Sequence, residues 1–390
     1  MLHDFDRLIE RRGTDSIKWG RYHEDVLPMW VADMDFASPP AVVEALSRRV
    51  EHGVFGYGAE PAELRTTIQE RMERLYRWSV SPEDILFLPG VVVGFNLAAR
   101  AFGSPGDGVL VQPPGYPPFF MVGHNARQTI VEAPLTLGQG GYSIDFEAFE
   151  AAITPQTRLF ILCNPHNPVG RVFTRGELEK MAEICLRHGV IICSDEIHQD
   201  FIYPGHNHVP IASLSPEVAA RTITLSSPSK SFNIAGFHFS AAIVQDREMR
   251  RTMEESQAGL IPRLPGLFDL VAGLAAYQSG DPWLGGLIHY LDRNRNLVMD
   301  FVAREMPGVK MHRPEGSYLG WLDCRGLGLE EPPCEFFLRE ARVGLMDGSA
   351  FGTGGKGFVR LNFGCPRGVL EEGLGRMKAA LARRNAGSNL

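Results

Sequence analysis

Between residues 85 and 244 the chain repeatedly alternates a short, almost unbroken apolar run with a longer amphipathic stretch. The runs are 85–88 (ILFL), 109–112 (VLVQ), 159–163 (LFILC), 190–194 (VIICS), 222–226 (TITLS) and 241–244 (AAIV). Apolar runs this short suit strands buried on both faces. In the stretch 175–187, Leu178, Met181, Ala182 and Cys185 fall on one stripe, as in a helix lying on a sheet. Strand and helix in alternation predict βαβ units and a mostly parallel sheet.

The pattern changes near Gly280. Residues 281–304 read as one long helix, followed by strand candidates at 317–322 (SYLGWL) and 358–362 (FVRLN) and helix candidates at 333–341 and 368–381. Three units are therefore expected: 46–280 as a large α/β domain, 281–390 as a smaller α+β domain, and 1–45 packing with the latter. The tail 383–390 (RRNAGSNL) reads as frayed.

Composition narrows the function. Hydrophobic residues make up 44% and charged residues 22%, ordinary globular values, and the net charge of −7 disfavours a nucleic-acid partner. No run approaches the roughly 18 apolar residues of a membrane span. Residues 1–10 carry Asp4, Asp6 and Glu10 in place of a signal peptide's apolar core. The six cysteines form no CxxC pair, which gives zinc no support and predicts buried free thiols in the cytoplasm.

Ligands of open parallel sheets bind beyond the carboxyl ends of the strands. After LFILC comes NPHNPVGR (164–171) with Asn167. After VIICS comes Asp195, in SDEIH (194–198). After TITLS comes SPSK (227–230) with Lys230. Asn167 and Asp195 lie 28 residues apart, and Asp195 and Lys230 lie 35 apart. Each interval is about one βαβ unit, which brings an amide, a carboxylate and an amine to adjacent strand ends.

Pyridoxal 5′-phosphate (PLP) needs this set. A lysine amine forms a Schiff base with its aldehyde. A carboxylate beside the pyridine nitrogen keeps the ring able to absorb carbanion charge. A donor at the ring hydroxyl stabilises its phenolate. Phosphate needs a helix N-terminus, and the backbone of Val91 and Val92, in GVVVG after the first strand, suits it. Ser227 and Ser229 could add hydroxyls. Each motif alone is common: a strand-end lysine can be a surface residue, Asp195 a helix cap, NPxxP a plain turn. Their order and spacing together carry the expectation.

With these motifs, and with FVRLNFGCPR (358–367), the chain resembles the fold-type I, class I/II aminotransferase superfamily over nearly its full length. RRGTDSIKW (11–19), MWVADMDF (29–36) and the histidine of DEIH resemble its cystathionine β-lyase-like (MalY/PatB-type) branch. The resemblance implies the PLP-dependent transferase fold type I, with a seven-stranded, mostly parallel sheet. It implies that Lys230 holds the cofactor and shuttles the α-proton. Asp195 would meet the pyridine nitrogen and Asn167 the ring hydroxyl. Tyr116, in PPGYPPF, would stack on the ring, and His198 would stand where many aminotransferases carry tyrosine. Arg360 would grip the substrate carboxylate, with Ala32 also at the substrate. Tyr57, in FGYG, would reach the phosphate of a partner subunit, making the active site a property of a homodimer. His238 departs from the pattern, because many relatives have a phosphate-binding arginine there. His124, His166 and His206 are read as loop or surface residues.

The implied reaction is α,β-elimination from cystathionine or a related cysteine S-conjugate, giving a thiol, pyruvate and ammonia. An aminotransferase would use the same residues. A regulatory PLP-binding protein is the third reading; it would carry a fused DNA-binding segment, for which the residues before the signature leave no room.

Overall fold

The computed structural model describes residues 3–387. Its central sheet is built from β1 (Ile85–Leu88), β2 (Gly108–Val111), β3 (Thr129–Glu132), β4 (Thr157–Cys163), β5 (Ile191–Asp195), β6 (Thr222–Ser226) and β7 (Ser240–Ile243). Their spatial order is β1-β7-β6-β5-β4-β2-β3. From β3 to β6 every neighbouring pair is parallel, whereas β7 runs antiparallel to both β6 and β1. The fold is thus α/β with a mostly parallel seven-stranded sheet, as the alternation and the resemblance implied.

Both faces of the sheet are covered, which is why its strands read as continuous apolar runs. Along β4, Leu159, Ile161 and Cys163 pack on the side of the helix Val91–Phe102, while Phe160 and Leu162 pack on the side of Arg175–Arg187. β3 was not among the predicted strands. It is an edge strand with Thr129 exposed and its other residues half-buried, so it needs no apolar run. The reversal of β7 also has a local cause. A parallel return needs a crossover of a dozen or more residues, usually with a helix. Residues 227–239 instead form the short helical turn Pro228–Ser231 and a loop, and the chain re-enters the sheet pointing the other way.

After Asp281–Glu305, a second sheet forms from β8 (Lys310–Met311), β9 (Leu319–Asp323), β10 (Met346–Asp347) and β11 (Phe358–Asn362), in the antiparallel order β8-β9-β11-β10. Residues Leu27 and Pro28 pair in parallel with Val343 and Gly344. The last helix runs Arg367–Gly387, so residues 383–387, expected to fray, continue it; 388–390 lie outside the described residues.

One buried ion cluster ties these parts together. Arg71, on the helix Leu64–Tyr76, is 1% exposed and donates to Asp200 at 2.8 Å and to Asp281 at 2.6 Å. The other Asp200 oxygen accepts from the Ser231 hydroxyl at 2.6 Å. Phe232 and Tyr277 lie against the guanidinium. Asp200 sits five residues beyond Asp195, and Ser231 directly follows Lys230, so the cluster joins two strand-end loops to the start of the long helix. Removing Asp200 leaves the buried Arg71 with only the half-exposed Asp281, which Arg74 also binds, and takes the acceptor from the Ser231 hydroxyl. Asp200→Ala is therefore expected to lower unfolding free energy by about 3–5 kcal/mol, read from the midpoint of urea denaturation at unchanged slope.

Candidate active site

β4, β5 and β6 deliver Asn167, Asp195 and Lys230 to one edge of the sheet, where they line a single cavity of about 360 Å³. Its walls also include Val91, Val92, Tyr116, His198, Ser229 and His238.

Lys230 lies on the turn Pro228–Ser231. Its Nζ donates to the carbonyl of Ala32 at 2.7 Å. Burial pulls its amine down to about 8, with Arg360 lowering it further and Asp33 and Asp195 opposing. Asp195 ends β5 and is 4% exposed. Burial pushes its carboxyl up to about 7, against the Ile197 N–H, which donates to Oδ1 at 3.1 Å. A buried carboxyl so poorly solvated is matched by a cation beside it.

Arg360, on β11, is 2% exposed. It donates to Asn167 Oδ1 and to the carbonyl of Trp30, each at 3.0 Å, and its Nε is buried without a partner among the described residues. Burial lowers the guanidinium to about 10. The bond to Arg360 also fixes the Asn167 amide, because its oxygen is spent and Nδ2 remains the free donor.

The segment 30–36 runs between these groups and, among the described residues, has no strand partner. Side chains from several elements hold its carbonyls. Arg360 binds Trp30 O, Asn362 binds Val31 O and Asp33 O, and Asn233 binds Met34 O and Phe36 O. Ala32 O takes the Tyr318 hydroxyl besides Lys230. From the N-terminal side, Lys18 reaches Asp33 O and the Asp35 carboxylate, and Arg11 bonds Asp33 and Asp35.

At the other end of the cavity, the helix Val91–Phe102 begins at Gly90 with φ +126° and without a side-chain cap. That conformation suits glycine, and it leaves the first helical N–H groups open to an anion. The two serines separate. Ser229 lines the cavity. Ser227 caps its own turn, accepting from Ser229 N and spending its proton on Phe239 O at 2.6 Å, so it has no donor left for a phosphate. His238 does line this cavity.

Tyr116 is half-buried, edge-on to Phe119, and directly precedes the helix Pro117–Ala126. His198 is buried, and burial, Lys230 and Arg360 hold its imidazole down to about 3. Tyr57 is fully exposed, with Val54 and Phe55 exposed beside it. His166 is a buried brace, its Nε2 2.9 Å from Pro114 O. Sequence reasoning did not find Tyr318, Asn362 or Asn233, whose contacts run to backbone carbonyls and leave no side-chain signature.

These residues fit PLP on chemistry. An amine suits the aldehyde, a buried carboxyl suits a pyridinium, an amide N–H suits the ring oxygen, and an uncapped helix start suits phosphate. The Arg360 guanidinium, with Nε unpartnered, suits a substrate carboxylate.

Without a ligand the cavity has a pH signature. Asp195 titrates near 7 in the fold, against 3.8 as its ordinary value. The folded chain therefore binds the extra proton in that window, and stability falls as pH rises from about 4 to 7. Lys230 acts oppositely: its amine is held below its ordinary value, so stability recovers as pH rises above about 8. Asp195→Asn is expected to remove the first slope. In cofactor-free protein, the loss of unfolding free energy between pH 4 and 7 should shrink by on the order of 3 kcal/mol, measured by urea denaturation at both pH values.

Comparison with known proteins follows the same lines. The family model "Aminotransferase class I and II" matches residues 24–377. The chain is 46% identical over 391 residues to cystathionine beta-lyase PatB of Bacillus subtilis (strain 168), covering 97% of this chain and 100% of that protein. It is 33% identical to protein MalY of Escherichia coli (strain K12), covering 96% and 97%. The crystal structure of cystalysin from Treponema denticola, which contains a pyridoxal 5′-phosphate cofactor, superposes with a TM-score of 0.95 at 34% identity, covering 98% and 100%.

Proposed function

The chain belongs to the aminotransferase class I and II family, and on that premise we infer that it is a PLP-dependent carbon–sulfur β-lyase. The observation that carries this reading is its 46% identity, along almost the whole chain, to a cystathionine β-lyase. The substrates we propose are cystathionine or related cysteine S-conjugates, cleaved to pyruvate, ammonia and a thiol.

Bound at Lys230, PLP supplies the electron sink for charge left at the substrate α-carbon. Arg360 binds the α-carboxylate, its guanidinium already oriented by Asn167 and Trp30 O. Lys230 Nζ is the base for the α-proton: burial holds the amine near 8, which leaves about a tenth of it unprotonated at pH 7, far more than for an ordinary lysine. Ala32, whose carbonyl accepts from Nζ at 2.7 Å, would lie beside the substrate. Asp195 would keep the ring nitrogen protonated. Asn167 Nδ2 and His198 would serve the ring oxygen. Val91, Val92 and Ser229 would hold the phosphate, with His238 beside them, and Tyr116 would cover the ring.

Residues 46–280 are proposed as the cofactor-holding domain and 281–390 as the smaller one, with 1–45 packing on it. The proposed assembly is a homodimer. The exposed apolar stretch around Val54, Phe55 and Tyr57 supports this, since monomers seldom leave such residues bare together. A cytoplasmic location is proposed from six unpaired cysteines, five of them buried. Among the described residues, no helix is long and apolar enough to cross a membrane.

Incubated with PLP and L-cystathionine without any keto acid, the protein should release pyruvate and free thiol in equal amounts over many turnovers. Lys230→Ala should release neither. Turnover that appears only after a keto acid is added would make it an aminotransferase. Arg360→Lys should raise KM by about 30-fold, the worth of a charge-assisted hydrogen bond of about 2 kcal/mol.

A further inference from the structure

We propose that Ser317 is a positioning residue: its hydroxyl donates to His198 Nδ1 and so holds the histidine as the tautomer whose Nε2–H faces the active-site cavity.

His198 leaves β5 three residues after Asp195 and is 3% exposed, its ring packed near Phe201 and Tyr318. Its two nitrogens have different surroundings. Nδ1 lies 3.2 Å from Ser317 Oγ. Nε2 has no protein partner among the described residues, and the ring lines the cavity shared by Lys230, Asp195 and Asn167. Burial and the neighbouring Lys230 and Arg360 charges keep the ring neutral, so it carries a single N–H.

Ser317 decides where that proton sits. It is 1% exposed, and His198 is the sole hydrogen-bond partner of its hydroxyl among the described residues. Were the proton on Nδ1, it would point at Ser317 Oγ, and the hydroxyl's own proton would be buried with no acceptor. With the proton on Nε2, the hydroxyl donates to Nδ1 and both groups are satisfied. Buried polar groups in folded proteins are very rarely left unpaired, so the second arrangement prevails.

The serine backbone cannot turn away. Its φ is +69°, a left-handed conformation uncommon outside glycine, asparagine and aspartate. It is pinned there from both sides: its N–H donates to Phe201 O at 2.9 Å, and its carbonyl accepts from the Tyr203 hydroxyl at 2.7 Å. Gly316 forms a bridge with Ile202 next door. The segment that follows β5 thus grips Ser317, and Ser317 orients the histidine of that same segment.

The consequence rests on the PLP reading above. A donating Nε2 would add a second N–H to that of Asn167 Nδ2 in the same cavity, both available to the ring oxygen of bound PLP. A donor there favours the more negative, unprotonated state of the bound cofactor. Losing it raises the pH at which the cofactor's visible absorbance changes.

The experiment uses full-length protein with 15N-labelled histidine, before and after loading with PLP, and assigns His198 by its absence in His198→Phe. Long-range 1H–15N correlation should show the wild-type ring protonated at Nε2 in both states. In Ser317→Gly and Ser317→Ala the shifts should move toward a mixture of tautomers. The absorbance midpoint should then rise by several tenths of a unit, toward the larger rise of about one unit in His198→Phe. Glycine relaxes the left-handed backbone and alanine does not, so agreement between the two assigns the effect to the hydroxyl. A wild-type proton on Nδ1 overturns the proposal. So do two variants that leave both the tautomer and the midpoint unchanged. Absence of cofactor absorbance in wild-type protein would remove the PLP reading instead and leave the tautomer result standing.

Discussion

The backbone of residues 30–36 has no strand to pair with, and the rest of the active site is arranged around that fact. An unpaired buried carbonyl is costly, so these carbonyls take their donors from elsewhere. Lys230 comes from the turn after β6, Arg360 and Asn362 from β11, Tyr318 from the residue just before β9, and Lys18 from the N-terminal segment. One irregular strip of main chain therefore gauges the separation between the amine and the guanidinium. Its Ala32 and Trp30 carbonyls set both at hydrogen-bonding distance before any substrate arrives. The polar signature MWVADMDF has a physical reason in this arrangement: Asp33 and Asp35 gather Arg11 and Lys18, which bring the N-terminal chain over the strip.

The charge around the cavity is uneven. Two cations and one carboxyl are buried together, and each is displaced toward its neutral form. Anions fit such a place, and PLP with an amino-acid substrate brings both a phosphate and a carboxylate, together with a ring cation for Asp195. Folding and cofactor binding are coupled as a result, since whatever satisfies these groups stabilises the fold by mass action.

The parts of this arrangement that were readable in the sequence share a property: they are strand ends. Buried parallel strands announce themselves as apolar runs, and the residue just past each run is the one that meets a ligand. Asn167, Asp195 and Lys230 were found that way, and Arg360 by likeness of FVRLN to a family motif. Edge strand β3 was missed because half-exposed TIVE carries no apolar signal. The antiparallel turn of β7 was not foreseen because it follows from a missing crossover helix. Ser227 and Ser229 looked equivalent as hydroxyls near a lysine. Only the fold shows that one caps the turn while the other faces the cavity. Contacts to main-chain carbonyls, such as those of Asn233, Asn362 and Tyr318, have no characteristic residue type and stay silent until the chain is folded.

The Arg71 cluster has a mechanical meaning as well as an electrostatic one. Asp281 is the first residue of a 25-residue helix, and it shares its guanidinium with the carboxylate that holds Ser231. Such a helix is about 37 Å long, and its anchored end is the one nearest the lysine. The cluster ties that end of the helix to the turn that bears Lys230, so the two cannot shift against each other without breaking a buried ion pair.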